Sequence, residues 1–217
     1  METFRNLTLI IHVGCGFLAL ALGFAAILFK KGQKRHRFSG KLFFRAMLGV
    51  TLSALIISGI TENYFLFVIG IFSFFQNYFG YRSVKNKSLI PNVFDWIVLI
   101  IASLNSVAML ISMNIVLVVF GVISTFLAIG QARIFFKIRL QKDIPKIQWL
   151  VQHIGMMLGA YIATLTAFLV VNFPDVEPGW LIWISPSIIG GSLIFYYTRS
   201  VTRRNENIPF ATGQKKL

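Results

Sequence analysis

Cysteine, acid and histidine are all scarce in this chain, and each scarcity removes a class of explanation. The lone cysteine, Cys15, cannot form an intramolecular disulfide, and inside an apolar run it says little about redox compartment. Seven Asp and Glu stand against 21 Lys and Arg, for a formal net charge of +14. The three histidines, His12, His36 and His153, are too far apart in sequence for a zinc-binding spacing, so no metal site is expected. No phosphate-binding loop or nucleophile elbow occurs, and the glycines around Gly155 follow no strand, so they are not a dinucleotide fingerprint. Polar surface is short as well. With 56% hydrophobic and 13% charged residues and a mean hydropathy of +0.74, the chain cannot cover a core as a soluble protein of 217 residues must.

What fills the chain instead is a series of seven apolar stretches, at about 7–29, 42–60, 64–81, 93–111, 115–136, 147–171 and 180–197. Each is close to the ~20 residues a helix needs to cross ~30 Å of hydrocarbon. In lipid the backbone must satisfy its own hydrogen bonds, so the choice is helix or closed barrel. These runs are continuous rather than alternating over ~10 residues, which excludes the barrel. The expected fold is all-α, a seven-span transmembrane bundle over residues 1–198, with a flexible basic tail over 199–217. The only ambiguous region is 93–136, which as one helix would run about 66 Å, roughly twice the hydrocarbon thickness. The break belongs at Ser112-Met113-Asn114.

Charge placement orients the bundle. Lys30, Lys31, Lys34, Arg35, Arg37, Lys41 and Arg45 follow the first stretch, and Arg82, Lys85 and Lys87 the third. Arg133, Lys137, Arg139, Lys142 and Lys146 surround the gap after the fifth, and Arg199, Arg203, Arg204, Lys215 and Lys216 occupy the tail. Every basic residue except Arg5 therefore lies on alternate gaps. Lys and Arg accumulate in cytoplasmic loops, which puts the N-terminus outside and the tail in the cytoplasm. Trp96 and Trp149 then fall at inner span ends and Trp180 and Trp183 at an outer one, where Trp prefers to sit. Positive charge confined to short loops beside apolar spans points to anionic lipid rather than nucleic acid. The first stretch imitates a cleavable signal at Ala19-Leu20-Ala21, but its apolar run continues to Phe29 and its positive charge follows it, so a retained helix is expected.

Polar residues inside these spans are costly unless they face protein or water, which makes them the candidate site. They concentrate in the cytoplasmic half: Gln76, Asn77 and Arg82 in the third span, Asp95 at the start of the fourth, Gln131 and Arg133 in the fifth, and Gln152 and His153 in the sixth. His12 and His36 are secondary candidates. For Asp95, first-turn capping or an ion pair with Arg82 or Arg133 is an equally good structural reading. For His153 the structural alternative is an interhelical hydrogen bond. His12 and His153 lie about half a bilayer apart and cannot share a haem iron; only His36, placed in the basic loop, can join His153. Gly155, Gly159, Ala163 and Ala167 form a small-residue ridge on the sixth span, and Gly16, Ala19 and Gly23 a similar face on the first. Ser185-Pro186-Ser187 should kink the seventh.

Taken together, His12, Lys31-Gly32, His36-Arg37, Gly40-Lys41, Met47, Gly80-Tyr81-Arg82, Asp95-Trp96, Trp149 with His153, the segment Ala160 to Asn172, and Trp183 with Pro186 resemble a family of predicted bacterial multi-span membrane proteins without an assigned activity. The resemblance implies a multi-pass bundle in a bacterial inner membrane and marks His12, His36, Arg82, Asp95 and His153, and it implies no chemistry. The leading functional reading is a cytoplasm-facing polar pocket that binds or moves a small molecule, ion or proton. The alternatives are a haem- or quinone-linked redox component and an assembly or scaffold protein, with homo- or hetero-oligomerisation left open.

Overall fold

The structure, a computed structural model, describes residues 2–176 and 178–206. Seven helices make it up: α1 (Glu2–Leu28), α2 (Lys34–Thr61), α3 (Tyr64–Lys85), α4 (Val93–Leu110), α5 (Ile115–Arg139), α6 (Gln148–Asn172) and α7 (Trp180–Glu206), with no strand among the described residues. Asparagines start three of them. The side chain of Asn63 accepts from the Leu66 N–H, that of Asn114 from the N–H groups of Val116 and Leu117, and that of Asn92 from Asp95. Each satisfies donors that the first turn leaves without a helical partner. The α4–α5 break falls at residues 111–114, where Met113 stands fully exposed.

Six helices, all but α3, are long and apolar enough to cross a membrane. Tyr, Gln and Asn lower the hydropathy of α3, but α3 is also the helix its neighbours cover best, packing against α2, α4 and α6. A central helix meets protein rather than lipid and does not need a fully apolar surface. The opposite pattern holds for α1 and α7, whose large apolar residues such as Ile10, Phe17, Ile188 and Phe195 point outward. An apolar exterior of this extent is the surface that lipid would cover, as in a multi-pass membrane protein.

Around α3 and α6 the α1–α2 hairpin lies on one side, the α4–α5 hairpin against α3, and α7 against α6. Glycines set the central crossing. A Cβ at Gly80 of α3 would come within 2.7 Å of the Met157 sulfur and 3.0 Å of the Met157 backbone nitrogen, and one at Gly159 of α6 would run into the side-chain oxygen Oε1 of Gln76. The four-residue ridge of α6 is not one continuous contact, however. Gly159 meets α3, Gly155 opens towards Ile194 of α7, and Ala167 is exposed. A step of four residues overshoots a 3.6-residue turn by about 40°, so three such steps wind off any one neighbour. Likewise on α1, Ala19 and Gly23 are buried while a Cβ at Gly16 would meet open space.

The basic helix ends gather at one end of the bundle. Lys87 lies 4.7 Å from the ring centre of Trp149, and Lys31 5.5 Å from that of Tyr197. Two helices run farther than their apolar stretches. Lys34–Lys41 belongs to α2, so His36 sits in its first turn and not in a loop; Lys and Arg are good helix formers and carry the helix past its apolar part. Residues 199–206, expected in the tail, continue α7, whereas 207–217, with Lys215 and Lys216, lie outside the described residues.

Candidate functional site

The end of α3 and the start of α4 hold a buried ion pair. Asp95, 2% exposed, accepts from Arg82 at both carboxylate oxygens, Nε to Oδ1 at 3.0 Å and the terminal nitrogen to Oδ2 at 3.1 Å. The Tyr78 hydroxyl donates to Oδ1 at 2.6 Å, and the Asn92 backbone N–H donates to Oδ2 at 2.8 Å. Asp95 therefore both completes a capping box and pairs with a cation, the two structural readings open to it. Four donors on one carboxylate offset the cost of burying it. Tyr78 was not singled out in the sequence, although its place one turn before Arg82 puts both on the same face of α3.

Next to this pair, Arg82, Asp95, Gln131 and Gln152 line a void of about 10 Å³, together with Asn86 and Leu89. Such a volume holds about one water. Gln131 is 2% exposed, and neither of its amide atoms finds a hydrogen-bond partner among the described residues; nor do the Gln152 carbonyl oxygen and the Gln76 amide nitrogen. Leu89, buried beside them, adopts a left-handed backbone (φ 58°), a conformation a Leu side chain disfavours. Of the other candidates, Asn77 donates to the Phe44 carbonyl of α2 at 3.1 Å and so ties α2 to α3. Arg133 is exposed and makes no ion pair with Asp95.

The histidines separate into two places. His12 Nδ1 lies 3.1 Å from the Val50 carbonyl and 3.0 Å from the Ser53 hydroxyl, a link between α1 and α2 remote from the void. His153 Nδ1 meets the Gly80 carbonyl of α3 at 2.8 Å, and His36 Nδ1 the Ala26 carbonyl of α1 at 2.9 Å. The two rings approach to 6.4 Å between centres, at 90° to one another. Sequence spacing left His36 as the sole possible companion of His153, and the packing of α2 against α3 and α6 brings it there.

Chemically, the first group offers a neutralised charge pair with unfilled neutral donors and acceptors beside it, and the second a pair of imidazoles. No family model, curated protein or solved structure matches the chain.

Proposed function

We propose that the protein is a seven-span inner-membrane protein of bacterial type, N-terminus outside and basic end in the cytoplasm beside anionic lipid, whose polar core between α3, α4, α5 and α6 binds and passes a proton or small ion. The observation that carries this reading is Gln131. A buried amide with neither atom satisfied costs about 1–3 kcal/mol for each orphaned group. In hydrocarbon surroundings that cost is met by a polar occupant. The void beside Gln131 has room for a single water or bare ion, which supports a proton or small ion over a larger molecule. Asp95, Tyr78 and Arg82 provide the adjoining charge-bearing groups.

The test replaces Gln131 by Leu, removing the orphaned atoms at similar volume. The variant should melt at least as high in detergent as the parent, because a buried amide that depends on an occupant of the void has been exchanged for an apolar group. In proteoliposomes carrying a pH-sensitive dye, with proton or monovalent-ion gradients imposed, it should lose the flux the parent shows. Undiminished flux in Gln131→Leu, or no flux in the parent under any gradient, overturns the reading.

A redox role with haem or quinone draws on a different observation, the approach of His36 to His153. A Soret band in the purified protein supports it, and a featureless visible spectrum removes the haem form.

A further inference from the structure

We propose that Leu89 is the gate of the Gln131 void, an apolar side chain that a strained turn holds over the void and releases to admit its occupant. The inference rests on the reading of that void as an occupied site, and adds how the occupant enters. Ser83, Asp95 and Gln131, the polar groups around the void, are all almost completely buried. An occupant therefore reaches them only when part of the wall moves. Of the residues lining the void, only Asn86 and Leu89 stand outside a helix. A short turn opens at lower free energy than a packed helix, because fewer buried contacts and backbone hydrogen bonds break. The turn between α3 and α4 is thus the movable part of the wall.

Within this turn Lys87, Ser88 and Ile90 are exposed, and Leu89 alone among them is buried. Its φ of 58° lies in the left-handed region, which glycine fills at no steric cost and a leucine does not. Such strain persists only where the surroundings hold it. Here the holder is Asn86. Its backbone carbonyl accepts from the Leu89 N–H at 3.0 Å, and its side-chain nitrogen donates to the Ile90 carbonyl at 2.7 Å, spanning Leu89. Its side-chain oxygen accepts from the Ser88 hydroxyl at 2.6 Å. Both side-chain bonds are exposed, so water competes for them.

Two opposed terms therefore meet at one residue. Burial of the Leu89 side chain favours the closed turn, and relief of its backbone strain favours the open one. That balance is what a two-state element requires. The choice of side chain fits the task. Leucine offers no hydrogen bond to an occupant, so it obstructs the void without competing for the amides, as apolar constrictions do in channels. Withdrawn from the void, it exposes Gln131 and the Asp95–Arg82 pair to the basic end of the bundle.

The experiment reads access to the void through a thiol. Ser83→Cys, in the full chain carrying Cys15→Ser, places that thiol in the wall at nearly the volume of the native hydroxyl. The purified protein is treated with dilute silver ion in chloride-free buffer, and the thiols left unreacted are counted with a maleimide dye after denaturation. With Leu89 in place the thiol should react far more slowly than one introduced at the exposed Lys142. Leu89→Ala should speed the reaction roughly tenfold or more, and Asn86→Ala, which keeps Leu89 but frees the turn, should speed it too. Melting curves establish that each variant is folded. If Leu89→Ala is not, Leu89→Gly, which suits the φ of 58°, takes its place. The proposal is overturned if the thiol reacts as fast as the exposed one while Leu89 is present, or stays protected once Leu89 is removed. It is overturned equally if Asn86→Ala reacts at the parent's rate, because Leu89 is then a fixed filling. Thiol access is measured without any flux, so a protein that opens at Leu89 but passes no ion contradicts the transport reading alone.

Discussion

The contrast between Asp95 and Arg82 shows how burial decides the worth of a residue. Asp95 is almost wholly enclosed, whereas the Arg82 side chain keeps a quarter of its surface. Removing the arginine strands a carboxylate with only Tyr78 and the Asn92 N–H to hold it, and an uncompensated buried charge costs on the order of 3–5 kcal/mol. Removing the acid is milder. The amide of Asp95→Asn can still accept from the Asn92 N–H, and the freed guanidinium can turn towards water or lipid headgroups. Arg82→Met should therefore lower the melting temperature in detergent more than Asp95→Asn does; the reverse order would mean that the pair is not buried as described. Arg82 and Arg133 were equal partners for Asp95 on spacing. The choice between them depends on how α4 is turned about its axis, which sequence alone leaves open.

At the scale of the helix, small residues act through the neighbour they meet rather than through their repeat. Gly159 and Gly155 belong to one four-residue series, but only Gly159 lies under α3. Gly159→Ala pushes a methyl against the end of the Gln76 side chain, which is enclosed and has little room to swing aside, and should cost about 1–3 kcal/mol through overpacking. For Gly155→Ala the nearest atom, on Ile194, lies 4.0 Å away, so the gain in helix propensity of about 0.5–1 kcal/mol should leave stability equal or higher. Melting the two variants side by side checks this, and equal losses would contradict the crossing of α3 and α6. The same logic explains α3 itself. Its polar residues lower its hydropathy, yet they bind its neighbours, Asn77 to α2 and Arg82 and Tyr78 to α4, while the backbone carbonyl of Gly80 meets His153 of α6. Interhelical hydrogen bonds in membranes are worth on average roughly 0.6 kcal/mol each, and a central helix collects several.

For the whole molecule, packing brings the basic helix ends to one end of the bundle. If that end is cytoplasmic, a reporter fused after Leu217 should be active as a cytoplasmic fusion, and reporters at Asn114 and Asp175 should read as exported. An Asp175 fusion active in the cytoplasm would break the seven-span arrangement, with α3 the helix to reconsider because it alone falls short of the apolarity of a free-standing span. The positions of the helices, the break before Asn114 and the alternation of charge were legible in the sequence, because lipid imposes length and apolarity on each segment separately. The extent of α2 and α7 was less so, since a helix continues through good helix formers after its apolar run has ended. Which polar groups meet was decided only by tertiary structure. The pairing of Arg82 with Asp95, the addition of Tyr78, the isolation of Arg133, the orphaned amide of Gln131 and the approach of His36 to His153 all depend on how helices are rotated and crossed. A turn of about 100° about its axis moves each residue into its neighbour's place without altering any local preference, so only the packing of one helix on another selects the contacts.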